Sequence, residues 1–197
     1  MLSHISQNQQ SDYGTQRENI KRQDNDPKLL RVLRRRYRVY VEMLSAYYRL
    51  PVHIIAKKTL LNVTPALVER CKSAYVQTKT DQTFLMYDLD VPSMLQRLQK
   101  VPDAALLCSN PCFELWLLLH HKEQKTELSS TDCVNRLSSF EKHYKKGVLL
   151  PADKQSLLSN AVLAVKRAKA LHAFDNPSST VYILIEALES LKNKTTK

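Results

Sequence analysis

Glycine is almost missing from this chain: Gly14 and Gly147 are the only two in 197 residues. That scarcity excludes the glycine-rich turns that cradle phosphates, both the P-loop and the dinucleotide fingerprint. Cysteine is sparse as well. Cys71, Cys108, Cys112 and Cys133 form no C-x-x-C pair, and no matching His pair follows Cys108 and Cys112. A zinc site is therefore not expected, and the thiols fit a reduced, cytoplasmic setting. No stretch approaches 18 uninterrupted apolar residues and the N-terminus is polar, so neither a membrane span nor a secretory signal is expected. Acids are outnumbered, 19 against 30 Lys and Arg, giving a net charge of +11. Such an excess favours a polyanionic partner, nucleic acid ahead of an anionic membrane; the bland alternative is a merely soluble basic protein. The hydrophobic fraction of 43% supports a core, and the length fits one domain.

What is present divides into three parts. Residues 1–35 read as a disordered, basic N-terminal tail, residues 36–192 as the folded domain, and residues 193–197 as a frayed basic tail. In KLLRVLRRRYRVYVE, the basic run Arg34, Arg35, Arg36 and Arg38 leads into an alternating segment expected to be a short strand ending at Glu42. The run is either a solvated approach to that strand or a set of phosphate contacts. MLSAYYRL reads as helix, PVHIIA as strand, and TPALVERCKSAYVQTK as a helix capped near Thr64 and Pro65. TFLMYDLD and AALLCS are buried strands separated by the helix VPSMLQRLQK. Beyond Ser129 only helices are expected: STDCVNRLSSFEKHY, DKQSLLSNAVLAVKRAKALHA and STVYILIEALESLK. Strands alternating with helices predict an α/β fold with a mostly parallel sheet, followed by a helical C-terminal portion.

In open α/β sheets, ligands gather beyond the carboxyl ends of the strands. Three acids fall at that level: Glu42, Asp88 and Asp90. Asp88-Leu89-Asp90 sets two carboxylates at i and i+2, able to point to one side as a strand ends. Oxygen-only clusters of this kind suit Mg2+ or Mn2+, although solvated loop acids would also explain a lone D-x-D. One βα unit later, SNPCFELWLLLHH brings Ser109, Asn110 and Glu114 to the same edge. Asn110 and Pro111 read as the start of the helix. Glu114 is the one carboxylate in an otherwise apolar helix, and burying it unpaired would cost several kcal/mol, on the order of 3–5. It is expected either to pair with one of the many cations or to face the metal and substrate. His120 and His121 lie a turn or more away and read as structural.

TFLMYDLD, SNPCFELWLLLHH and NPSSTVYILIEAL, in this order, resemble the RloB-like family, a Toprim-related group associated with bacterial restriction and phage-defence loci. The resemblance implies a Toprim-like core with a strand-terminal Glu and a D-x-D pair binding Mg2+ for phosphodiester cleavage. Asp88 and Asp90 then take the metal role, with Glu42 as acid/base. The chain departs from the family pattern in one place, since VYVE runs into MLSAYYRL with neither the Gly nor the Thr-Glu that usually follows.

Two functions follow. The first is a Mg2+- or Mn2+-dependent nuclease of phage defence, acting on DNA or structured RNA such as tRNA, alone or with an AAA- or ABC-type ATPase. Metal would sit at Asp88, Asp90 and Glu42, with Glu42 or Glu114 positioning water. Arg34, Arg35, Arg36, Arg38, Ser109 and Asn110 would hold the substrate. The second is a non-catalytic subunit with a degenerate Toprim site that binds nucleic acid or the ATPase.

Overall fold

The computed structural model describes residues 29–33, 37–50, 52–56, 63–74, 77–79, 81–145, 148 and 151–195. Among these residues five strands form one mixed sheet, flanked by eight helices. The strands are β1 (Leu29–Leu33), β2 (Val52–Ala56), β3 (Gln82–Asp88), β4 (Ala104–Asn110) and β5 (Ser178–Ser179), in the spatial order β2-β1-β3-β4-β5. The first four run parallel, with Leu29 opposite both Val52 and Gln82 and Asp88 opposite Ser109. β5 is antiparallel to β4 and pairs Ser178 with Asn110.

The α/β class expected from strand–helix alternation is what forms. β3 shows why: six of its seven residues are buried, as an inner parallel strand covered on both faces must be. Phe84 and Met86 join the larger core, with α1 (Arg38–Tyr48), α4 (Glu114–His121), α5 (Ser130–Ser138), α6 (Pro151–Ser159), α7 (Ala161–Lys169) and α8 (Tyr182–Thr195). Leu85 and Tyr87 face the opposite way, into a smaller core with α2 (Pro65–Lys72) and α3 (Met94–Leu98). Helices thus cover both faces. α4 is the hub, and Trp116, wholly buried, stands edge-on to Tyr40 of α1 at 6.5 Å between ring centroids.

Several boundaries differ from expectation. The strand expected to end at Glu42 is helix α1, because Tyr40, Val41, Leu44 and Tyr48 recur at helical spacing and are buried. The strand lies earlier: residues 29–33 of the expected tail form β1, inside the sheet. The helix expected from Asn110 and Pro111 begins at Glu114, since β4 continues through Asn110. The single helix expected over residues 153–173 is two, broken at Asn160. The helical C-terminal portion also contains the short β5, and α8 runs through residues 193–195. Thr64, by contrast, caps α2 as expected, its hydroxyl accepting from the Leu67 N–H at 3.2 Å.

Candidate functional site

The parallel register fixes the site. β3 and β4 end side by side, so Asp88 and Ser109 stand opposite one another at the carboxyl edge. Asp88 is fully buried. Its Oδ1 accepts hydrogen bonds from the Tyr37 hydroxyl and from the Phe113 N–H, the latter at 2.9 Å. A buried carboxylate requires such donors, since each missing one costs about 1–3 kcal/mol. Tyr37 and Phe113 also pack edge-on at 4.7 Å, so the aromatic contact and the carboxylate lock α1 to the start of α4. Burial, with the charge of Asp88 added, pushes the Cys108 thiol up to about 12 and keeps it protonated. Asp90, two residues past the strand, is exposed.

The neighbouring polar groups bond to the segment that carries β5. The Ser109 and Ser179 hydroxyls bond each other at 2.9 Å, and the Asn110 side-chain amide donates to the Phe174 carbonyl at 2.9 Å. Thr180 completes the seam, accepting from the Cys108 N–H at 2.8 Å and donating to the Leu106 carbonyl at 2.7 Å.

Glu114 is buried, with 1% of its surface exposed. Among the described residues a phenol, rather than a cation, bonds it. Among the described residues its hydrogen-bond partner is the Tyr144 hydroxyl, which donates to Oε1 at 2.9 Å, while Oε2 is buried with no partner. Burial and then the Glu114 carboxylate raise the Tyr144 phenol far above its ordinary range, so it stays a donor. The nearby Cys112 thiol is raised too, first by its hydrogen bond with Cys133 and then by burial. Glu114 thus looks toward α5 and the segment after it, whereas the Phe113 N–H, one residue earlier, serves Asp88.

Glu42 lies on the outward face of α1, half-exposed and bonded to Arg38 at 2.6 Å. Arg34, Arg35 and Arg36 lie outside the described residues. His120 is structural: its Nδ1 lies 2.9 Å from the Trp116 carbonyl, and burial lowers it to about 4, leaving it neutral. Tyr37, Tyr144 and the His121–Glu141 pair, 3.0 Å apart, are the contributors the sequence pattern did not single out. Each acts across a long stretch of chain, where no local spacing marks it.

The donor set suits a hard cation in kind, because carboxylate oxygens with water are what Mg2+ takes. Asp88 and Asp90 are the acids that would hold it. Among the described residues no group of three or more His, Cys, Asp and Glu side chains is arranged to hold a metal ion.

An α/β protein with a buried carboxylate at the carboxyl edge of its parallel strands is the class that fold and site define. The family model for RloB-like proteins matches residues 5–188, nearly the whole chain. The protein belongs to the RloB-like family. No match was found among curated proteins or among solved structures. No helix among the described residues is long and apolar enough to cross a membrane.

Proposed function

We propose that this RloB-like protein is a nuclease of bacterial anti-phage defence, cleaving phosphodiester bonds in DNA or structured RNA such as tRNA with Mg2+ or Mn2+, alone or beside an AAA- or ABC-type ATPase. The observation that carries the reading is Asp88, a wholly buried carboxylate fixed by two donors at the end of an inner parallel strand, with exposed Asp90 two residues on. On this reading the sheet is a Toprim-like core. A bound ion would stabilise charge developing on the phosphate. The protein's own part is orientation. Tyr37 and Phe113 hold one Asp88 oxygen, and Asp90 reaches into solvent where a backbone would lie. Arg38 is available to phosphate, because an exposed pair such as Arg38–Glu42 is worth only about 0–1 kcal/mol. The net charge of +11 adds long-range attraction that weakens with salt.

The outward placement of Glu42 favours a second reading, a binding subunit without chemistry. One assay separates the two. Purified protein is incubated with mixed DNA and RNA, with and without Mg2+, alongside the near-isosteric Asp88→Asn and Asp90→Asn variants. The nuclease reading expects metal-dependent cleavage that falls by at least about a hundredfold in both variants while binding persists, the scale of losing transition-state electrostatics. Binding with no cleavage by the unaltered protein selects the second reading.

A further inference from the structure

After α5 the chain turns back along α4. Glu141 Oε1 bonds His121 at the helix's C-terminal end, and three residues later Tyr144 reaches Glu114 at its N-terminal end. The Tyr144 N–H closes a turn on the Glu141 carbonyl at 2.9 Å, so residues 141–144 sit as a turn against α4, pinned at both ends by buried carboxylates. Their outer side is unusual. Phe140 is 47% exposed, although a phenylalanine gains from burial, and its ring stacks on His121 at 5.3 Å with only 11° between planes. Lys142, His143 and Lys145 are exposed beside it, as is Lys122 next to His121. None of these four makes an ion pair among the described residues, whereas Lys125 is neutralised by Glu123 and Lys169 by Glu186. The track ends at the start of α4, where the Phe113 N–H meets Asp88.

We propose that this segment is a binding track for single-stranded nucleic acid, with one unpaired base stacked on Phe140 over His121 and the adjoining phosphates on Lys122, Lys142 and Lys145, leading the strand toward Asp88. The inference rests on the nucleic-acid reading above and narrows its substrate to unpaired strand. An aromatic ring among unneutralised cations is the arrangement that holds single strands, because every base has a face to stack while duplex bases do not offer theirs. The His121–Glu141 bond keeps the platform rigid, so little ordering is left to be done on binding.

The test is fluorescence anisotropy with a labelled oligothymidylate and with a labelled duplex, for the unaltered protein, Phe140→Ala, Phe140→Trp and Lys142→Ala/Lys145→Ala. Single-strand affinity should fall on the order of tenfold in Phe140→Ala with its salt dependence unchanged, and should return in Phe140→Trp. The lysine variant should flatten the slope of log affinity against log salt by about 0.7 for each phosphate that is no longer neutralised. Duplex binding should be indifferent to Phe140. Phe140→Ala binding the single strand as the unaltered protein does, or losing single strand and duplex alike, would overturn the track. Binding is read without Mg2+ and cleavage with it, so loss of the track and loss of cleavage are read separately; unaltered protein that binds neither probe would sink both proposals.

Discussion

Two buried carboxylates stand one strand–helix unit apart, and the fold treats them differently. Asp88 ends a strand, and one of its oxygens takes both the Tyr37 hydroxyl and the Phe113 N–H. Glu114 opens a helix and, among the described residues, takes the Tyr144 hydroxyl on one oxygen and has the Cys112 thiol beside its carboxylate. The first is braced by the backbone at the start of α4 and by an aromatic contact. The second depends on one residue arriving from beyond α5. A carboxylate that ends a strand and is braced by the starts of two helices has its direction set from both sides, whereas one held through a returning segment ties that segment to the core. Asp88 is built as a fixed point and Glu114 as a fastening.

The largest effect expected from this contrast is at Asp88. Replacing it with Ala strands two buried donors, so Asp88→Ala should lose about 3–5 kcal/mol of stability in chemical denaturation. A loss under about 1 kcal/mol would mean that the two donors readily find water. Next comes the fastening: Tyr144→Phe removes the tyrosine donor from Glu114 and should cost about 1–3 kcal/mol. It should also speed proteolysis within residues 139–145 more than elsewhere, and uniform protection would break the comparison. The smallest effect is expected for Glu114→Gln. The amide keeps an acceptor for Tyr144 and removes a charge from an apolar setting, so the melt should stay within about 1 kcal/mol of the unaltered protein or rise above it. A drop of about 3–5 kcal/mol would instead reveal a buried cation paired with Glu114.

Much of the architecture was legible. Strand–helix alternation from PVHIIA to SNPCFELW has the expected types in the expected order, because apolar runs of strand length between capped helices leave few alternatives. Asp88 was readable at the edge for the same reason, as an acid ending a buried run. The misreading at Glu42 has a definite cause. In RRYRVYVEMLSAYY, Tyr37, Val39 and Val41 alternate as in a strand, while Tyr37, Tyr40, Val41, Leu44 and Tyr48 carry the helical spacing, and the longer pattern prevails because it buries more. LLRVL gave no signal of its own beside the arginines that follow. Tyr37 and Tyr144 were beyond reach because their partners lie 51 and 30 residues away, where register and packing decide contact.

The spatial order of the strands bears on how the chain is made. β1 is made before β2 and β3, yet it lies between them. Until β3 has been synthesised, β1 has a neighbour on one side only, and its other edge is an open template for stray pairing. The hydrogen-bonded middle of the sheet therefore closes late, by joining segments far apart along the chain. It also limits what can be cut away: a truncation that removes Leu29–Leu33 takes out the strand that joins β2 to β3.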